Sequence, residues 1–352
     1  MDIIKNAISR IESPDRRVMV KTQKRLDLLT KPQGSMGRLE ELVKLIAGIT
    51  GKESPSINNK FIVTMAADHG VTAEGISAYP KDVTAQMVYN FLNGGACINV
   101  LARYIGAKVI VVDMGVAADI KKHENLVSMK IGMGTKNMAL GPAMSRNQAV
   151  KSIEAGIKIV NELSSAEDCD IIGTGDMGIG NTTASSAITA FICGVDVEPV
   201  TGRGTGIDDR TFKNKVKIIE KALSVNKPLK NDPVDILSKI GGFEIGGIAG
   251  LILGAASNRI PVVIDGFISG AAALIAAGLE PKSTEFMIAS HCSLEKGHKI
   301  ILNKLGLKPL LDLELRLGEG TGAELGISLI DAGIRIYNEM ATFGEAGVSE
   351  KN

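Results

Sequence analysis

The chain has 352 residues, 45% of them hydrophobic, with 40 basic against 39 acidic side chains, so no basic excess exists to attract nucleic acid or anionic lipid. Aromatics reach only 3% with no tryptophan, which argues against base-stacking surfaces and leaves small molecules as the expected partners. Cys97, Cys169, Cys193 and Cys292 show neither CxxC spacing nor a secreted disulfide framework, and the amino terminus has no signal pattern, so a cytoplasmic location is expected.

In chain order, Ser13-Pro14-Asp15 reads as a helix start, with Ser13 as cap and Pro14 at the first helical position, followed by a basic helix to about Thr30. Lys31-Pro32-Gln33-Gly34 breaks it, and Leu39, Leu42, Val43, Ile46 and Ile49 then recur at helical spacing. Short apolar runs follow at 61–66, 109–113, 171–173, 262–264 and 286–290, separated by periodic segments such as Ala149, Ile153, Ile157 and Val160. Strand alternating with helix predicts an α/β fold with a doubly wound, mostly parallel sheet, whose ligands lie in loops after the strands. The stretch from Ile245 to Ala277 is interrupted by Asn258, Arg259, Pro261 and Asp265, so it reads as buried helix, strand and buried helix instead of a membrane span. Leu311, Leu313, Leu315 and Leu317 alternate with polar residues as a strand would, placing Glu319 just past its end. A long helix from Gly322 through Met340 and a frayed polar tail close the chain, the helix packing back on the amino-terminal pair.

Three glycine-rich segments carry the chemistry: Gly173 to Thr183, Thr201 to Gly206, and Gly318 to Gly322. Glycines bring backbone N–H groups close to an anion, and the interleaved Asn181, Thr182, Arg203 and Thr205 add donors for phosphate and sugar oxygens. Gly173-Thr174-Gly175-Asp176-Met177-Gly178 matches the dinucleotide fingerprint, with Asp196 near the distance of the ribose-binding acid, so an NAD-dependent oxidoreductase is the alternative. An acid inside that turn and the further Gly180-Asn181-Thr182-Thr183, in which Asn and Thr cap a helix, favour a mononucleotide phosphate. The second segment lacks the Gly-Lys-Ser/Thr of a triphosphatase, and Lys213 and Lys215 after it read by default as solvated lysines. Asp265 follows its strand as a single acid suited to a ribose without pyrophosphate, and Glu319 between two glycines points to a general base. His69, His123, His291 and His298 match no zinc spacing even with Asp68, so no metal site is expected. A nucleotide sensor without turnover is the non-catalytic reading.

As an ordered set, Lys31-Pro32-Gln33-Gly34-Ser35-Met36-Gly37-Arg38-Leu39, Asp68-His69-Gly70-Val71, Gly178-Ile179-Gly180-Asn181-Thr182-Thr183, Gly202-Arg203-Gly204-Thr205-Gly206, Asp265-Gly266-Phe267-Ile268 and Arg316 to Ala323 resemble the nicotinate-nucleotide:dimethylbenzimidazole phosphoribosyltransferase family over nearly the whole chain. The resemblance implies phosphoribosyl transfer from nicotinate mononucleotide to a benzimidazole, with no cofactor. It implies Glu319 as the base, Lys215 near the substrates, and nucleotide contacts from Gly175, Met177, Gly178, Gly180, Asn181 and Thr182 and from Gly202, Arg203, Gly204, Thr205 and Gly206. Ser77 and Gln86 fall on the acceptor wall, Ser293 and Leu317 join the substrate contacts, and Asp176 stabilises the ribosyl cation. A homodimer is implied, each chain having a Rossmann-like domain at 59–322 and a small helical domain from 1–58 with 323–352. Two positions depart from the family: Asp176 stands where a glutamate is common, and Cys292 where an arginine is.

Overall fold

A computed structural model describes residues 1–349, so the end of the expected polar tail lies outside the described residues. At the centre are β1 (Lys60–Ala67), β2 (Lys108–Gly115), β3 (Leu126–Ser128), β4 (Ile171–Met177), β5 (Val262–Ile264) and β6 (Met287–Ala289). They form one sheet in the order β3-β2-β1-β4-β5-β6, parallel at every pairing, which is the doubly wound order. The edge strand β3 alone was outside the expected apolar runs, and its three partly exposed residues carry little apolar signal.

Every residue of β1 is buried, because both faces of the sheet are covered. Phe61, Val63 and Met65 point into a cluster with the helices Arg146–Ala166 and Phe243–Ser257, whereas Ile62 and Ala66 face Arg38–Thr50 and Thr321–Glu339. The stretch read as helix, strand and helix is Phe243–Ser257, β5 and Phe267–Leu279, almost wholly buried. Part of the glycine excess serves this packing. A Cβ on Gly156 would lie 1.9 Å from Gly247 O, so only glycine lets these two helices cross so closely.

At the amino terminus a helix Asp2–Ser9 precedes the expected one, which spans Arg16–Leu28. Its cap is Asp15, whose Oδ1 accepts from Arg17 N at 2.8 Å and Val18 N at 3.3 Å. Ser13, the expected cap, donates its hydroxyl to Glu285 instead, and Pro14 lies outside the helix. The helix Thr321–Glu339 runs against Arg38–Thr50, with Gly333 facing Leu39 and Val43, and Arg25 Nε donates to Tyr337 O at 3.2 Å.

The alternating segment 311–317 is not a strand. It runs beside the chain after β6, where Cys292 N donates to Leu311 O and Leu294 N to Leu315 O. Glu314 between them is left-handed at φ 56°, which breaks the pleat, and Leu313 and Leu317 are left exposed.

Candidate active site

The sheet order reverses at β1, so the crevice above the carboxyl ends of β1 and β4 is the topological switch point. A cavity of about 690 Å³ occupies it. Its wall includes Asp176, Met177, Gly178, Gly180, Asn181 and Thr182 from the end of β4 and the helix after it. Arg203, Gly204, Thr205 and Lys215 form another side, and Ser293, Leu317 and Glu319 a third.

Glu319 closes the floor at the carboxyl ends of the strands. It is left-handed at φ 65° between Gly318 at 80° and Gly320 at 106°, a sparsely populated run for a residue with a side chain. Three contacts hold it: Glu319 N donates to Asp176 O at 3.2 Å, Thr64 Oγ1 donates to Glu319 O at 2.8 Å, and Ile98 N donates to Glu319 Oε2 at 3.1 Å. Gly175 lies beneath it and not on the cavity wall, since a Cβ there would come within 2.2 Å of Glu319 O. Burial pushes the Glu319 carboxyl above its ordinary pKa, against the pull of the Ile98 N–H.

Asp265, expected to suit a ribose, is not on the cavity wall. Only 1% exposed, it accepts from Gly322 N at 2.7 Å, Ala323 N at 3.1 Å and Gly320 N at 3.3 Å, so it anchors the start of Thr321–Glu339 and the Glu319 loop with it. Burial lifts its pKa to about 7 despite those three donors. Asp176 is buried on the cavity wall, where Asn181 Nδ2 donates to its Oδ2 at 2.9 Å and its Oδ1 has no partner among the described residues. Burial first, and then the charges of Asp265 and Glu244, hold Asp176 well above the usual carboxylate range.

A group of hydrogen-bond donors lies at the other end. Gly180 is the residue before the helix Asn181–Cys193, with φ 97° and no side-chain cap, so Asn181 and Thr182 are not caps as the sequence led one to expect. Among the described residues the N–H groups of Gly180 and Thr182 meet no acceptor, and both residues line the cavity. Lys215 is not solvated: at 1% exposure its Nζ donates to Thr182 Oγ1 at 2.8 Å and Gly202 O at 3.3 Å, while Lys213 stays on the surface. Burial lowers the Lys215 pKa to about 8, with Glu295 opposing.

The second glycine segment is tied down by its own Arg203 and by neighbouring segments. The Arg203 guanidinium donates to Ile207 O and pairs with Asp209, Gly204 N donates to Glu295 Oε1 at 2.9 Å, and Thr205 Oγ1 accepts from Ala78 N. Gly202 lies against the Glu295 carboxylate and Gly206 stands clear at φ 95°, both off the cavity wall. Ser77 lines the cavity 3.4 Å from Thr205 Oγ1. Gln86 is exposed on Val83–Leu92, where Val83 and Met87 face the cavity instead. Ser293 donates its hydroxyl to Leu315 O, and Cys292 is not on the wall. His69 and His291 stand in loops after strands, where the fold puts ligands, but sequence reasoning missed Glu295 on the wall and Glu244 behind it, which pairs with His69 at 2.6 Å. No spacing signals these two acids, because folding alone brings the connection after β6 and the first turn of Phe243–Ser257 to the site.

The dinucleotide fingerprint dissolves in this geometry. Gly173 and Gly175 lie inside β4 and not in its turn, and Gly173 admits Ile62 and Ala323 where a Cβ would clash. Asp196 is exposed before the short helix Val197–Val200, away from the cavity wall.

A family model described as phosphoribosyltransferase matches residues 11–348. A nicotinate-nucleotide–dimethylbenzimidazole phosphoribosyltransferase of Roseiflexus sp. (strain RS-1) is 57% identical over 351 residues, 100% of this chain and 99% of the relative. That of Geobacter sulfurreducens is 53% identical over 350 residues, 99% of each chain. The solved structure of the enzyme with this name from Thermus thermophilus is 41% identical with a TM-score of 0.89, covering 96% of this chain and 100% of its own.

Proposed function

Because the chain belongs to the nicotinate-nucleotide–dimethylbenzimidazole phosphoribosyltransferase family, we propose that its cavity performs the reaction of that name. The 5-phosphoribosyl group passes from nicotinate mononucleotide to dimethylbenzimidazole, releasing nicotinate and forming an α-ribazole phosphate. The observation that carries the residue roles is one cavity with a carboxylate at one end and a buried lysine beside free helix N–H groups at the other.

The phosphate binds at Gly180, Thr182 and Lys215, which puts the ribose between them and Glu319. Nicotinate in its mononucleotide is a pyridinium and leaves as a neutral ring nitrogen, so departure needs neither acid nor metal. The benzimidazole nitrogen attacks the anomeric carbon from the opposite face through an oxocarbenium-like state, inverting it, and Glu319 removes the proton of the other nitrogen. The raised pKa of Glu319 suits a base working near neutrality. Asp176 balances the developing ribosyl charge. The acceptor lies along Ser77, Val83 and Met87, with Gln86 at its outer edge.

Residues 1–58 with 323–352 form the helical part, an assignment supported by the Arg25–Tyr337 contact and the Leu29–Thr342 bridge, and 59–322 the nucleotide-binding part. The protein works as a homodimer: the helix Cys97–Ile105, next to the Glu319 carboxylate, leaves Val100 and Tyr104 exposed, an apolar face suited to a second chain. It works in the cytoplasm, in keeping with four free cysteines and with no helix among the described residues long and apolar enough to cross a membrane.

The test is incubation with nicotinate mononucleotide and a panel of benzimidazoles, adenine and phenols, following nicotinate and new ribotides by chromatography. Nicotinate release with a dimethylbenzimidazole ribotide is expected; nucleotide binding without product from any acceptor would leave only the sensor.

A further inference from the structure

The carboxylate cluster has a property that general-base chemistry does not use. Asp176 lines the cavity with one oxygen lacking any partner among the described residues and the other meeting the neutral amide of Asn181. Acids converge on it from three further elements: Asp265 after β5, Glu319 in the loop whose Gly318 packs on the Asp176 carboxylate, and Glu244 in the first turn of Phe243–Ser257. The nearby basic groups are committed elsewhere: Arg316 on the wall donates to Gly204 O, and burial lowers the His291 pKa. His69 pairs with Glu244 at 2.6 Å, His291 lies 3.8 Å from Asp265, and Lys215 sits at Thr182. A buried acid among acids keeps its proton until a cation arrives to stabilise the charged form.

Building on the reaction assigned above, we propose that Asp176 recognises the cationic ring–ribose linkage by proton exchange, holding a proton in the free protein and giving it to solvent when the pyridinium nucleotide enters. The O–H bond of Asp176 breaks, the proton goes to water, and the carboxylate faces the positive ring. When the ring leaves as a neutral pyridine, Asp176 takes a proton back. Over a cycle one proton is lost, the one Glu319 removes from the acceptor. Selectivity follows, because a neutral nucleotide of the same phosphate and ribose brings no cation to displace the proton.

Calorimetric titration in two buffers of different ionisation heat, from pH 6 to 8, reads the protons exchanged on binding. Ribose 5-phosphate is the comparison ligand, since phosphate ionisation near pH 6 and any response of Lys215 are common to both ligands. Nicotinate mononucleotide is expected to release up to one proton more than ribose 5-phosphate. Its affinity relative to ribose 5-phosphate should rise by up to about tenfold per pH unit, and Asp176→Asn should remove both differences. Equal proton counts for two ligands that both bind the unmodified protein would overturn the proposal, whatever the variant does. Failure of the mononucleotide to bind at all would remove the assigned reaction, and this inference with it.

Discussion

Glu319 and Lys215 mark the two ends of the cavity, and their surroundings predict different failures. Glu319→Gln keeps the shape and the Ile98 N–H contact but loses the base, so turnover should fall by about 10²–10⁴-fold while mononucleotide affinity changes little. Rapid-quench turnover set beside a binding titration checks this; a parallel loss of affinity would move Glu319 from base to binding group. Lys215, lowered to about 8 by burial, loses its charge as pH rises through that value. kcat/KM for the mononucleotide should therefore fall above about pH 8, and Lys215→Met should be slower and lack that limb. A limb unchanged in the variant would assign it to another group. Of these two residues, the position of Glu319 on the cavity was legible from its flanking glycines beside an anion cradle and from the alternating segment before it. For Lys215 only the resemblance pointed to the site, because a lysine on a charged helix is ordinarily solvated, and what buries it is the Gly202 turn 13 residues earlier together with Thr182.

At the scale of elements, runs and periods predicted what one segment decides by itself and failed where a second segment intervenes. The buried helix, strand and helix were legible from Ile245 to Ala277 because the run is almost wholly apolar and Asn258, Arg259, Pro261 and Asp265 break it. The segment 311–317 was misread as a strand, since its alternation continues across Glu314 while the backbone there turns left-handed. The anchoring contacts of Asp265 were not legible for a related reason: an acid after a strand resembles a ribose ligand, and the N-terminus of Thr321–Glu339 that rests on it comes from a distant segment. Asp265→Ala leaves three backbone N–H groups at that helix start without their acceptor. It should lower stability by about 2–4 kcal/mol and reduce turnover through the displaced Glu319 loop. Mononucleotide affinity should hold, since Gly180, Thr182 and Lys215 are built on other elements. Denaturant midpoints and a binding titration would separate these effects; unchanged turnover would mean that the loop does not depend on Asp265.

For the whole molecule, the acids clustered around the site should make stability run against the usual pH trend. Glu324 stands on Thr321–Glu339 a turn beyond the Glu319 loop, 0% exposed, with neither oxygen partnered among the described residues. Burial lifts its pKa to about 8, against the pull of Lys60. The unfolded chain releases this proton near its ordinary pKa of about 4.3, so between those values the folded chain binds more protons and stability falls as pH rises. Asp265, at about 7, acts in the same direction over a narrower window. Lys215 has the opposite sign: the unfolded chain holds its proton up to about 10.4, so its contribution to stability should recover as pH rises from about 8. The left limb, a fall toward pH 8, comes from Glu324 and Asp265 and is opposed below about pH 6.5 by His298, which burial lowers to about 3. Above about 8.5 the buried Cys169 thiol, pushed up to about 12, offsets Lys215. Glu324→Gln keeps the shape of the protonated acid and cannot ionise. Its thermal midpoint should match the parent below about pH 4, exceed it increasingly from there up to about pH 8, and keep a constant lead beyond. Midpoints that differ by the same amount at every pH would show that Glu324 does not change protonation on folding, and the left limb would then have to come from the carboxylates of the cavity.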